Sequence, residues 1–248
     1  MSYEKSAGRK NHCSNRCETD PSECPLWDFT NMSELYFLDD VQVEVAKKFA
    51  CGAVRRALDH VENYYSRDQL TGLYNRAYML SHLSSRIDYL LAEFNIEHSP
   101  VSGIQLAFID LDGFKAVNDG LGHSAGDDVL RIVADKLRTV TRDHDMVVRW
   151  GGDEFIVIAP YIPRDDTYSS DNTQEESLGD RLVSAVTFEY SQGYPVSASV
   201  GVTYATGIDR GLINGNVIEA MIHHADKEMY KAKVAGKGRS CESFISLS

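Results

Sequence analysis

The sequence predicts an α+β fold: a central, mainly antiparallel sheet flanked by helices and preceded by an N-terminal helix. Three observations predict it. Residues 146–150 and 155–159 are short apolar runs joined across Gly151-Gly152, a hairpin signal because glycine accepts the positive φ of a tight turn. The continuous apolar run Ile104 to Ile109 (broken only by Gln105) reads as a buried strand. Between and around these strands, apolar residues recur at three- and four-residue spacing. Helices thus intermix with an antiparallel hairpin, which is the pattern of helices packed against a sheet.

Residues 1–33 are polar and irregular, and gather His12, Cys13, Cys17 and Cys24. Their spacing lacks the paired Cys-x2-Cys knuckles of common zinc modules. Reduced free thiols are the simpler reading; a Zn2+ or iron–sulfur site, with Cys51 as a further ligand, is the other. From 33 to 65 the pattern is helical, with Ser33 an acceptable N-cap. Leu38, Val41, Val45 and Phe49 form one apolar stripe; Ala50, Val54, Val61 and Tyr65 continue it on a shifted line, with Gly52 a candidate break. Such a stripe has to be buried, on a partner helix or on the domain that follows. Residues 1–66 are therefore read as an N-terminal segment and 67–248 as the main domain.

Within that domain, 77–94 has helical recurrence through Met79, Leu80, Leu83, Ile87, Leu90 and Leu91. The strand 103–110 ends at Asp110, and a glycine-rich turn leads to an amphipathic helix over 127–140. The hairpin follows. Residues 160–177 carry Asp165-Asp166, Ser169-Ser170 and Glu175-Glu176, a surface-loop composition. Then come a helix over 178–190, a strand over 196–204, a helix over 216–235 ending at Gly236, and a short strand over 241–245.

With 43% hydrophobic and 25% charged residues the chain is globular rather than disordered. A net charge of −12 argues against a nucleic-acid binder, which needs a basic face. Residues 1–12 lack the apolar core of a signal peptide, and no apolar run reaches 18 residues, so neither secretion nor a membrane span is expected. The chain is read as cytoplasmic.

The chemistry centres on Asp153 and Glu154. Adjacent acids repel, and a turn needs at most one of them for its own geometry. A second acidic motif lies upstream at Asp110 and Asp112. Carboxylates converging from two strand ends suit a hard cation such as Mg2+, which takes oxygen ligands. A solvated acidic turn is the plainer alternative for Asp153-Glu154 taken alone.

Gly151-Gly152-Asp153-Glu154-Phe155 matches, letter for letter, the signature of the GGDEF family of diguanylate cyclases, and the chain resembles that family well beyond it. In family order stand Asp68-Gln69-Leu70-Thr71-Gly72-Leu73-Tyr74-Asn75-Arg76 and Phe108-Ile109-Asp110-Leu111-Asp112-Gly113-Phe114-Lys115. Asn118-Asp119, Gly122-His123, Gly126-Asp127 and Ala225-Asp226-Lys227-Glu228-Met229-Tyr230-Lys231-Ala232-Lys233 complete it. The resemblance covers about 66–241 and implies the palm-like sheet of nucleotidyl cyclases. It implies condensation of two GTP into cyclic di-GMP, with Mg2+ or Mn2+ held by Asp110, Asp153 and the Leu111 carbonyl. Asp153 stands where many members carry glutamate. Asp153, Glu154 and Lys115 would be catalytic, with Asp112 and Glu154 also open to supporting roles. Lys233 and Lys237 would reach the β- and γ-phosphates, Lys237 replacing a common arginine. Asn118 and Asp127 would read guanine, with Phe114, His123 and Leu130 lining the pocket; Leu130 is equally an ordinary core residue. Arg142 and Asp145 match the family's Arg-x-x-Asp product-inhibition site, and a plain turn ion pair is the alternative. The resemblance also implies a homodimer paired through the preceding helix. A domain that binds GTP or cyclic di-GMP without turnover is the competing function.

Overall fold

The computed structural model describes residues 64–93, 103–161, 176–206 and 215–246. Residues 64–66 are helical; the rest of the helix expected over 33–65, the cysteines at 13, 17, 24 and 51, and most of the loop expected over 160–177 lie outside these residues.

In chain order the domain runs β1 (Tyr74–Asn75), α1 (Arg76–Glu93), β2 (Gly103–Asp112), α2 (Phe114–Leu121), α3 (His123–Val140), β3 (Met146–Gly151) and β4 (Glu154–Tyr161). It continues with α4 (Leu178–Val186), β5 (Phe188–Tyr190), β6 (Tyr194–Thr206), α5 (Gly215–Val234) and β7 (Ser240–Ser246). The strands form one seven-stranded sheet in the order β1-β3-β4-β2-β6-β5, with β7 also on β6. The pairs β2–β4, β2–β6, β3–β4 and β5–β6 are antiparallel. β1–β3 and β6–β7 are parallel, so the sheet is mixed and mainly antiparallel, as the sequence predicts.

Helices cover both faces. On one, Val129, Val133 and Leu137 of α3 and Leu178, Leu182 and Val186 of α4 meet Ala107, Ile109, Phe155, Val157, Val200 and Val202. On the other, Met79, Leu83 and Ile87 of α1 and Ile218, Met221, Ala225 and Met229 of α5 meet Ile104, Leu106, Phe108, Ile156 and Ile158. Strand residues two apart share a face. Ile104, Leu106, Phe108, Asp110 and Asp112 of β2 therefore lie on the α5 side, as does Glu154 of β4.

Several expectations are corrected. β2 runs on to Asp112 rather than ending at Asp110. The glycine-rich stretch after it is not a turn but the helix α2, followed at once by α3, which starts at His123 and not at 127. Asn118, Asp119, Gly120 and Gly122 suggest a turn by propensity, but burial of Val117 in the α3-side core holds the segment helical. The helix expected over 178–190 stops at Val186; Phe188 to Tyr190 instead pair with β6, as aromatic residues favour. Among the described residues no helix is long and apolar enough to cross a membrane.

α5 sits on β6 through Gly201. A Cβ there would fall 2.0 Å from the Ala225 carbonyl oxygen and 2.1 Å from the Met229 nitrogen. These are backbone atoms and cannot swing aside. Gly201→Ala is therefore expected to lower stability by roughly 1–3 kcal/mol, the range for overpacking a filled core. An unchanged urea midpoint for the variant would show that the helix is not seated this closely.

Candidate active site

The site forms where four segments end together: β2, the start of α2, the β3–β4 turn and the end of α5. Asp110 and Glu154 face one another across the β2–β4 register. The β3–β4 turn, Gly152-Asp153, is docked onto β2 by the Leu111 N–H, which donates to the Asp153 carbonyl at 3.2 Å. Gly152 has φ +51°, as the tight turn requires.

A second tie holds this turn from behind. Arg149 donates through Nη2 and Nε to the Gly152 carbonyl at 2.9 and 3.2 Å, and through Nη1 to both Asp68 oxygens at 3.1 and 3.2 Å. Asp68 also accepts from Thr71 N–H at 2.9 Å and Thr71 Oγ1 at 2.7 Å. Burial pushes the Asp68 carboxyl up, but the Thr71 hydrogen bonds and the Arg149 guanidinium outweigh it and leave the pKa lowered. Asp68 stands in the sequence as the first residue of a motif and Arg149 merely within the apolar run before the hairpin; their pairing spans 81 residues.

A cavity of about 420 Å³ opens between these segments. Asp110, Asp112, Asp119 and Asp153 line it together with Lys115, Lys233 and Lys237, the backbone of Leu111 and Gly113, and Ala116. Lys233 Nζ lies 2.8 Å from Asp110 Oδ2, and Lys237 Nζ lies 3.8 Å from Asp112 Oδ1. Burial pushes the Asp110 carboxyl up, as do the charges of Asp153 and Asp112, against the pull of Lys233. Burial likewise raises Glu154, joined by the charges of Asp110, Asp153 and Asp226. Among the described residues no three His, Cys, Asp or Glu side chains are grouped as a ready metal cluster. Asp110 and Asp153 nevertheless offer oxygen donors on one wall, and each raises the other's need for positive charge. That donor set fits a hard divalent cation.

The start of α2 faces the same cavity. Its first helical hydrogen bond is Val117 N–H to Gly113 O at 3.2 Å, which leaves the N–H groups of residues 114–116 outside the helical ladder. Such an end favours anions. Phe114 itself turns the other way and packs on the α3-side core.

The remaining sequence candidates lie on α2 and α3. Asn118 is half-buried, and its Oδ1 would lie 2.0 Å from a Cβ placed on Gly126, the neighbour of Asp127. His123 and Asp127 are exposed, and Leu130 is buried in the core. Asp119 is a charged cavity residue to which the sequence assigns no role; its place four residues after Lys115 on α2 puts both on one helix face.

Arg142 and Asp145 lie apart, in the α3–β3 turn. Their side chains do not form the simple ion pair. Asp145 Oδ2 accepts the Arg142 N–H at 2.9 Å, and the Asp145 N–H donates to the Arg142 carbonyl at 2.9 Å. The Asp145 side chain is only 2% exposed, with Oδ1 facing His144 Nε2 at 3.6 Å. Burial raises its carboxyl despite the Arg142, His144 and Arg181 contributions. Arg142 is exposed.

Residues 65–239 match the family described as diguanylate cyclase, GGDEF domain. The chain is 34% identical over 197 residues to the response regulator PleD of Caulobacter vibrioides, covering 79% of this chain and 40% of PleD. It is 36% identical over 177 residues to the diguanylate cyclase DgcP of Pseudomonas aeruginosa, covering 69% and 23%. The chain thus spans less than half the length of these relatives. Its fold is similar to that of the diguanylate cyclase SiaD, solved in complex with its activator SiaC from Pseudomonas aeruginosa. That similarity has a TM-score of 0.52 at 28% identity, over 87% of this chain and 76% of SiaD.

Two of the perturbed acids, Asp68 and Glu154, make a stability test with opposite signs. The lowered Asp68 contributes stability that is present above its unfolded pKa and lost as pH falls through the folded one. The raised Glu154 costs stability above its folded pKa and is relieved as pH falls through it. At pH 7 Asp68→Asn should therefore lower Tm and Glu154→Gln raise it, and both differences should shrink as pH drops into the carboxylate range. Shifts of the same sign in a thermal-melt series would contradict this reading of the site.

Proposed function

The chain belongs to the GGDEF family of diguanylate cyclases, and we propose that it condenses two GTP into cyclic di-GMP with release of pyrophosphate. The observation that carries the proposal is the meeting of four carboxylates, three lysines and an open helix N-terminus around one cavity of about 420 Å³.

In this reading the triphosphate enters the cavity. The N–H groups at the start of α2 receive phosphate oxygens, and Lys115, Lys233 and Lys237 balance their charge. Asp110 and Asp153, with the Leu111 carbonyl, would hold Mg2+ or Mn2+, which when bound lowers the pKa of a ribose 3′-hydroxyl and neutralises charge at the α-phosphorus. Lys233, now on Asp110, is within reach of both the carboxylate and an incoming phosphate. Asp153 stands beside the reacting end and takes part in removing the 3′-proton, with Glu154 behind it. The guanine extends toward Asn118 and Asp127, with His123 at the pocket's edge and Leu130 in the core behind α3. Guanine presents donors at N1 and N2 that a carboxylate accepts; adenine has none at N1. A site built for those hydrogen bonds discriminates strongly against a base that lacks them.

Each domain offers one such cavity, so one chain poses one GTP. Closing two phosphodiester bonds requires two GTPs head to tail, which a two-fold axis between identical sites supplies. We therefore read the active form as a homodimer.

Purified protein incubated with GTP and Mg2+ is expected to form cyclic di-GMP, and Asp153→Ala to lose at least ~10²-fold in turnover, the scale for removing transition-state charge stabilisation. Binding of GTP or cyclic di-GMP with no turnover would make the protein a receptor instead.

Arg142, exposed on a turn whose shape Asp145 holds, is proposed to bind the product's phosphates. Arg142→Ala should weaken cyclic di-GMP binding by roughly tenfold or more, as loss of a charge-assisted hydrogen bond implies, and raise the product accumulated late in the reaction. Equal affinities by calorimetry would leave the turn a structural role only.

A further inference from the structure

Asp112 lies two residues beyond Asp110 on the same face of β2, yet its surroundings differ. Its side chain is 7% exposed. Oδ2 accepts from Ser199 Oγ at 2.8 Å and from the Gly238 N–H at 3.1 Å, and Oδ1 faces Lys237 Nζ at 3.8 Å. Ser199 is itself fully buried. The chain's own donors therefore engage Oδ2 twice, while Oδ1 looks toward the Lys237 ammonium on the cavity side.

What it holds is the segment after α5. The helix ends with Gly236 N–H on the Lys233 carbonyl at 3.3 Å and Lys237 N–H on the Ala232 carbonyl at 3.1 Å, the paired bonds of a Schellman ending. The backbone then stays left-handed for three residues, with φ +117° at Gly236, +63° at Lys237 and +56° at Gly238. Glycine tolerates this. Lysine does not, and a non-glycine residue in that region persists only when its surroundings over-determine it. Immediately after, Val200 N–H donates to the Arg239 carbonyl at 3.0 Å and β7 joins the sheet. Gly238, between the strained lysine and that strand, is gripped by Asp112.

We infer that Asp112 is a positioning residue which, with Ser199, fixes the Gly236–Gly238 turn so that Lys237 meets the outer phosphates of a bound nucleoside triphosphate. The inference rests on the reading of the cavity as a triphosphate site. The Lys237 side chain is long and 61% exposed, so a free turn would let its ammonium wander and make each phosphate contact carry the full ordering entropy. Fixing the backbone from which it springs, and facing the ammonium with Oδ1, narrows the region that the ammonium samples.

The test uses the full chain with Mg2+ and two probes, the non-reactive α,β-methylene analogue of GTP and GMP. Wild type is compared with Asp112→Asn, Ser199→Ala, Lys237→Met and the Asp112→Asn/Lys237→Met double variant. Asp112→Asn and Lys237→Met are each expected to weaken the triphosphate analogue about tenfold while moving GMP less than about twofold. The double variant should then bind about as Lys237→Met does, because coupled residues are not additive. Hydrogen exchange at the Gly238 amide should quicken in Asp112→Asn and in Ser199→Ala, and Ser199→Ala carries the comparison alone if Asp112→Asn does not fold. Losses that multiply in the double variant, equal weakening of both probes, or unchanged Gly238 exchange would each overturn the inference. Wild type that binds no triphosphate analogue would overturn the reading of the cavity, and this inference with it.

Discussion

Asp110 and Glu154 stand opposite each other across two central strands, a placement that destabilises a sheet when both residues carry the same charge. Asp153 adds a third carboxylate at the same end. Nothing in the packing of the sheet calls for them; burial raises both Asp110 and Glu154, and the charges of the neighbouring acids add to it. The arrangement persists because Lys233 is brought to 2.8 Å from Asp110. That one ammonium contact makes the strand ends tolerable, and it leaves a pocket still short of positive charge.

Bringing Lys233 there depends on how α5 is seated. The helix can lie this close to β6 only because Gly201 has no side chain beneath Ala225 and Met229. The spacing of four between Lys233 and Lys237 would place both on one side of a continued helix. The helix ends at Val234, however, and Lys237 reaches the cavity from a left-handed turn instead. The two lysines thus arrive by different routes, one along a helix face and one from a strained loop.

The signature turn is held equally firmly on its other side. Arg149 spans from Gly152 to Asp68 with four contacts, all within hydrogen-bond range. Asp68 in turn is fixed by Thr71, whose carbonyl accepts from Arg138 of α3 at 2.8 Å. A chain of polar contacts therefore runs from α3 to the turn that carries Asp153. The repelling acids are thus held from two sides, by the Lys233 ammonium in the cavity and by these polar contacts behind the turn.

The longer strands and the hairpin were legible because their signals are local: apolar runs of the right length and a Gly-Gly pair. The acidic site was legible for the same reason, as motifs of five to nine residues. α2 was not, since Asn118, Asp119 and Gly120 favour a turn, and only the burial of Val117 against α3 and the sheet decides for a helix. β5 was hidden likewise, because pairing with β6 outweighs continuation of the helix before it. Residue chemistry alone suggested that Asp145 pairs with Arg142 through side chains; the fold buries its carboxylate against backbone instead. Asp112 meets Gly238 across 126 residues of sequence. The chain by itself determined which residues alternate, repeat and repel. Which of them meet was decided by close packing, because a contact between distant residues leaves no periodic trace along the chain.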